Sequence, residues 1–500
     1  MASHISETNR LTFRETDEAG NPTASYIYSR DVASSITSSK TPAGRVDVIS
    51  YSSSTSSWSA KPLFSSLSDV FLPSGYPQSV SDDYLRYQIF DSLQAFCSSI
   101  AGLLSSRAVL QGVGVGNANA SPTSALLLHI LQDISGRIAT IFFAHRVGTA
   151  LEPECKTYRL AADVFNDIAM ILDCLSPGVP AGAARVVVLS TAGVLRALCG
   201  VAGGSSKASL SAHFAKWGNL AELNAKDSSQ ETVISLFGML VGSVVISHIT
   251  SFSTTWLLLL ILLALHLSMN YAAVRAVQMT SLNRQRANIA FSALLDSDQS
   301  LALYLDLDPG PTPTQTEKEW KFLTPAQVSK HERIFHRDGA LQWTQHSSTH
   351  TVTHHIGSAQ IGVSMSAFLG GSASGTTSFQ RTLPLERVAT VFADEFYILF
   401  LVPLSAAEDN VKWNASILLK RGCVVEHQLK AWAHALLAAR VLARLTTGSS
   451  VDAVLAVVEG TLHLLNTDAR FERYLTGLSG VGWDVDIAAL ETRGGRRIDV

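Results

Sequence analysis

Charged side chains are scarce in this 500-residue sequence. Asp, Glu, Lys and Arg make up 16% of it, against about 25% in an average soluble domain. The net charge is only −3. A phosphate-binding surface needs clustered Lys and Arg, so nucleic acid is not an expected partner. Cysteines are few and widely spaced: Cys97, Cys155, Cys174, Cys199 and Cys423, with no CxxC pair. Neither a disulfide framework nor a thiolate zinc site is indicated. Reduced, mostly buried thiols fit a chain whose bulk faces the cytosol or an organelle interior. The opening MASHISETNR has no apolar stretch of a secretory signal, and Glu7, Glu15, Asp17 and Glu18 argue against a mitochondrial leader. GxSxG, HExxH and paired-carboxylate motifs are absent, so no reaction is indicated.

What is present is apolar material, 47% of the chain, which excludes a disordered or collagen-like protein. Mean hydropathy is +0.21. Charge is thinnest in the middle: residues 97–274 carry 19 charged side chains, and 232–274 carry none. One membrane helix takes about 20 apolar residues, so 232–274 is long enough for a transmembrane hairpin, with arms at 232–249 and 255–273. Gly238 and Gly242 have the GxxxG spacing that lets helices approach closely. A buried hairpin in a helical core is the competing reading. Periodicity predicts further helices at 83–110, 122–146, 157–175 and 183–202, the last ending at Gly203-Gly204. Residues 1–65 read as a disordered Ser/Thr-rich tail with one short strand at Val46–Tyr51. After a Pro-rich linker at 296–318 come strand-like runs at Thr390–Pro403 and Ala415–Lys420, helices at 424–446 and 451–475, and a last strand at Gly482–Ala488. The expected architecture is a mainly α helical, membrane-associated domain at 66–295, with a smaller C-terminal α+β domain at 319–490 and a tail at 491–500.

Four clusters could carry chemistry. His129, Asp133 and Arg137 share one helix face, as do Arg159, Asp163 and Asp167 with Asn166 beside them. Ionisable groups inside an apolar core are expensive unless paired, so Arg137 is expected to meet Asp163 or Asp167 across a helix interface. This would be a register-fixing network or a polar cavity for a ligand. Gly203, Gly204 and Lys207 form a Gly-rich break with an anion-contacting lysine, but the P-loop pattern fails because Ser206 precedes Lys207. Asn224, Lys226, Asp227, Gln230 and Glu231 form a polar box before the hairpin, read as a helix start capped by Asp227 or as a polar membrane entrance. His346, His350, His354 and His355 recur at short spacing, but with no carboxylate or Cys among them a metal site is not expected.

Several motifs together resemble the RUS family of root UVB-sensitive proteins. They are Leu72-Pro-Ser-Gly-Tyr-Pro77, Asp83-Tyr-Leu-Arg-Tyr-Gln-Ile-Phe-Asp-Ser-Leu-Gln94 and Gly112-Val-Gly-Val-Gly116. They continue with Asp133, Gly136-Arg137, Arg159, Asp163, Asn166-Asp167, Gly200-Val-Ala-Gly-Gly204 and Ala225-Lys-Asp-Ser-Ser-Gln-Glu-Thr232. The resemblance implies a eukaryotic membrane-associated protein linked to vitamin B6 homeostasis, with members associating with one another. The expected location is an intracellular membrane, and a second copy of the chain is the other expected partner. It assigns no catalytic residue. The leading expectation is a non-enzymatic membrane protein acting by transport or scaffolding. The alternatives are a soluble pyridoxal-phosphate-binding protein or enzyme using Lys207, and an adaptor for a homologue.

Overall fold

The computed structural model describes residues 10–16, 22–29, 45–50, 70–114, 122–249, 251–298, 300–301, 320–346, 351–370, 383–404, 411–444 and 450–499. Near the start, strands β1 (Arg10–Thr16), β2 (Pro22–Ser29) and β3 (Arg45–Ser50) form an antiparallel sheet in that order. The expected strand at Val46–Tyr51 corresponds to β3. The two strands before it correct the reading of this region as a disordered tail with a single strand: Leu11, Phe13 and Tyr26 alternate with polar residues, which a local antiparallel sheet can use. The remainder of the proposed tail lies outside the described residues.

Six helices follow: α1 (Tyr84–Gly112), α2 (Pro122–Val147), α3 (Cys155–Leu175), α4 (Ala183–Phe214), α5 (Leu220–His248) and α6 (Phe252–Ala276). They form an up-and-down bundle, and polar contacts at its two ends fix the directions. At one end Asp83, just before α1, lies 3.0 Å from His213 late in α4 and accepts from the Gln278 N–H just after α6. Lys156, early in α3, reaches the Val277 carbonyl there. At the other end Arg107 donates to the Ile249 carbonyl, Arg185 to Gly112, and Ser105 to Asp173. Both ends of the chain therefore leave the bundle on one side. Ser251 caps α6 by accepting from the Thr254 N–H, which sets the turn between α5 and α6.

Residues 232–274 are helical on both sides of that turn, but the two arms do not make a self-packed hairpin. α1 lies between them. A Cβ on Gly238 would stand 2.8 Å from Ser99 Cβ, and one on Gly242 2.8 Å from Leu103 Cδ1, so the two glycines let α5 press against α1. On its other flank α1 packs Ile100 and Leu104 against Leu259, Leu262 and Leu263 of α6. α4 also departs from expectation, running unbroken through Gly203-Gly204 to Phe214.

The C-terminal region begins earlier than composition indicated. α7 (Arg284–Ser297) is buried along nearly its whole length and shares a core with everything that follows, so it belongs there rather than with the bundle. Strands β4 (Ala340–His346), β5 (Thr351–Ile361), β6 (Tyr397–Pro403) and β7 (Trp413–Lys420) form a sheet ordered β4-β5-β7-β6, with β5 and β7 parallel and the other pairs antiparallel. β6 reads YILFLVP because almost every residue in it is buried. Helix α8 (Pro325–His331) is set by a Thr324–Gln327 capping box. A one-turn helix at Met365–Phe368 and helices α9 (Leu385–Val391), α10 (Val425–Leu442), α11 (Val451–Asn466) and α12 (Arg470–Gly480) make up the rest of the described α-helices there. Three expectations change here. Thr390 and Val391 close α9, so the strand begins only at Tyr397. Gly482–Ala488 forms no strand. The last strand is instead β8 (Arg497–Ile498), paired parallel with Leu419 and Lys420, so 491–499 are not a loose tail.

Candidate functional site

α3 differs from its five neighbours. α1, α2, α4, α5 and α6 contain windows long and apolar enough to cross a membrane, whereas α3 carries charge on its buried face. Arg159 donates to Asp91 of α1 at 2.6 Å and to the Tyr87 hydroxyl at 3.3 Å, and lies 4.0 Å from Asp163. Asn270 of α6 donates to Asp163. His266, one turn earlier on α6, places Nδ1 2.8 Å from Asp167 Oδ1 and Nε2 3.7 Å from Asp163. Asn166 is at the margin, with Nδ2 3.5 Å from the Ser98 hydroxyl. Asp91, Asp163, Asp167, His266 and Asn270 are all buried. Further along α3, Asp173 accepts from Ser105 of α1 and from Arg196 of α4. Such a ladder fixes the register of α1, α3, α4 and α6, since a slip by one turn would strand a buried charge.

The two polar stripes do not meet. Arg137 pairs with Asp133 on its own helix at 3.2 Å, with side chains 79% and 58% exposed, and His129 is exposed as well. The expected partner of α3 on α2 is thus replaced by Asp91 on α1. Lys207 sits in mid-α4 with Nζ 2.7 Å from Asp227 and 2.7 Å from Glu231 of α5. Gly203 and Gly204 make no loop around an anion; a Cβ on Gly203 would simply touch Ala162 of α3. The polar box occupies the first turns of α5. Asp227 does not cap the helix, whose N-cap position is Asn219. Instead Asp227 accepts from Gln88 at 2.6 Å, and Gln230 donates to the Phe71 carbonyl. Asn224 is half-buried, and Lys226 lies on the same turns. His346, His354 and His355 lie on β4 and β5, while His350 is outside the described residues. Among the described residues no group of three or more His, Cys, Asp or Glu is placed to hold a metal ion.

A second polar centre joins the bundle to the C-terminal region. Glu332 lies between Lys156 at 2.5 Å and Arg286 at 2.8 Å. Burial opposes its ionisation, but the two cations overrule burial and hold its carboxyl down at about 2. Next to it, Glu154 takes a hydrogen bond from Asn283 and stands 3.6 Å from His336. Here burial dominates, and the Glu154 carboxyl is pushed up to about 7. This second centre was not legible as a motif, since the partners of Glu332 and Glu154 are contributed by distant elements.

Residues 57–298 match the family model described as the vitamin B6 photo-protection and homoeostasis domain. This stretch belongs to that family. It is 45% identical over 239 residues to RUS family member 1 of Dictyostelium discoideum, covering 47% of this chain and 45% of the relative. It is 36% identical over 235 residues to protein root UVB sensitive 3 of Arabidopsis thaliana, covering 47% of this chain and 53% of that protein. Protein root UVB sensitive 2, chloroplastic, of the same plant is 30% identical over 229 residues, covering 45% of this chain and 51% of that protein. The chain thus spans about half the length of the curated relatives it matches. No solved structure matches. The matched stretch contains the whole bundle, its α3 ladder and α7. The Glu332 side of the junction lies outside it.

Proposed function

We propose that this is a non-enzymatic membrane protein whose bundle serves as a scaffold in vitamin B6-linked metabolite homeostasis. One observation carries the membrane part. The five apolar helices leave their hydrophobic windows largely uncovered, from 6% buried in α2 to 39% in α6. Leu236, Phe237, Leu240 and Val244 of α5, and Leu257, Leu260 and Ile261 of α6, are among the exposed side chains. So large an apolar exterior is stable only against lipid or protein. α3 then crosses in the shelter of its neighbours, its charges turned inward onto partners as membrane interiors require. Lys216, Arg275, Arg284 and Arg286 gather at the end that carries the C-terminal region, which by the positive-inside rule faces the cytosol or its equivalent.

Scaffolding is favoured over transport because the α3 side chains close onto one another rather than around an opening. The pyridoxal-phosphate reading gains nothing at Lys207, which is committed to two carboxylates. Sodium carbonate extraction of membranes from expressing cells should leave the chain in the pellet. Full release into the supernatant would refute the membrane reading.

A further inference from the structure

Where α2 hands over to α3, a cleft of about 260 Å³ opens between the bundle and the C-terminal region. Its lining includes Arg146, Glu154, Tyr158, His336, Asp338 and Arg493. Two of these are polar groups left incomplete. Glu154 Oε1 and His336 Nδ1 are buried without a hydrogen-bond partner, on side chains only 11% and 12% exposed. Leaving such atoms unpaired is unfavourable, and both belong to side chains that line the cleft. Asp338 is already matched, by Arg284 at 2.5 Å. Arg146 and Arg493 are not: neither makes a hydrogen bond or ion pair among the described residues, and both are exposed. The cleft also opens beside the first turn of α3, whose dipole favours an anion there. The lining therefore offers two uncommitted guanidinium groups at its rim and unused polar atoms at its floor.

We propose that this cleft binds a phosphomonoester, with its phosphate between Arg146 and Arg493 and a hydrogen-bond donor of the same ligand on Glu154 Oε1. Guanidinium forks suit phosphate oxygens, and two of them match a dianion. The volume falls below the roughly 300–1,000 Å³ of pockets for drug-sized ligands, so the occupant is of single-ring or headgroup size. Two sources share this chemistry. One is a soluble phosphorylated metabolite. The other is a phosphatidic acid headgroup, whose acyl chains would lie along exposed Ile138, Ile141 and Phe142 of α2, leading to Arg146. The lipid source rests on the membrane reading above; the soluble source does not.

The test uses the full chain in detergent and in nanodiscs. Binding is measured for pyridoxamine 5′-phosphate, for pyridoxamine without the phosphate, and for phosphatidic acid in phosphatidylcholine nanodiscs. Pyridoxamine 5′-phosphate is chosen because the family description names vitamin B6. Arg493→Gln removes an exposed side chain that supports no internal contact, so folding is retained. It should weaken phosphate-dependent binding about tenfold, with Arg493→Lys intermediate and the exposed control Lys321→Gln unchanged. Arg493-sensitive binding of pyridoxamine 5′-phosphate but not pyridoxamine supports the soluble source. The same sensitivity for phosphatidic acid supports the lipid source. Binding of neither probe, or binding indifferent to Arg493 and to the phosphate, overturns the proposal, while the carbonate extraction result stands or falls separately.

Discussion

Glu332 and Glu154 are close neighbours with opposite electrostatics, and their pH signatures have opposite signs. Glu332 is held at about 2, below the ordinary 4.5, by Lys156 and Arg286 against the opposing effect of burial. Its stabilisation is complete above pH 4.5 and is lost as pH falls through about 2. Glu154 is raised by burial to about 7. The folded chain keeps a proton there that the unfolded chain releases, so this group lowers stability as pH rises from 4.5 through 7. Glu154→Gln should flatten the melting temperature of the detergent-solubilised chain across that window. Glu332→Gln leaves Lys156 and Arg286 buried without a counter-charge, and should destabilise by about 3–5 kcal/mol in thermal or denaturant melts. His434 adds a third signature. Buried in the C-terminal core with Tyr397 and Thr461 as partners, it falls to about 3 because burial disfavours its charged form. Stability contributed by its neutral state is lost as pH falls from 6.5 towards 3, a slope that His434→Gln should reduce. At this scale the sequence was half legible. The Arg159–Asp163–Asp167 spacing marked a buried polar face, and His266 with Asn270 repeats the same one-turn interval on α6. Asp91 and Glu332, the partners that neutralise Arg159 and Lys156, lie 68 and 176 residues from them, and no local spacing encodes such a pairing.

At the scale of elements, two departures from the sequence reading fall at glycines. Gly203-Gly204 was expected to end a helix, because glycine costs about 1 kcal/mol in a helix interior. Packing against α3 overrides so small a penalty, and α4 continues for a further ten residues. Gly238 and Gly242 were recognised as a contact surface, but the surface meets α1 rather than α6. GxxxG reports that some backbone comes close, not whose. Gly238→Leu should therefore drive side-chain atoms into Ser99 and the Phe96 carbonyl, destabilising the bundle by roughly 1–3 kcal/mol or more. Gly200→Ala, with nothing within 4 Å of the added carbon, should be neutral or stabilising by about 0.5–1 kcal/mol. The two changes separate close packing from helix propensity in one set of thermal melts.

For the whole molecule, the charge-poor middle correctly announced an apolar helical body, yet it exposed only one pair of span-like helices. The others were masked by scattered ionisable residues such as Asp91, Arg107, Asp173 and Arg196, which fall within or against apolar helices because they pair inside the bundle. Counting charge along the chain cannot distinguish a residue facing solvent from one facing its counter-ion. The six-helix path puts the turn at Ser251 and the exposed Arg421 at opposite ends of the proposed membrane domain. Cysteines introduced as Ser251→Cys and Arg421→Cys should therefore react with an impermeant maleimide from opposite sides of sealed vesicles. Labelling of both from one side would exclude this topology.

The wedging of α1 between α5 and α6 also bears on how the chain is made. The ribosome delivers α1 first and its two flanking helices last, separated by more than a hundred residues. Until His248 has emerged, the Phe96–Leu103 surface that Gly238 and Gly242 will cover has no partner from its own chain. A nascent chain halted before α5 would present this bare seam to the membrane insertion and quality-control machinery. Premature truncations anywhere from α2 to the start of α5 should therefore share one fate, retention and degradation.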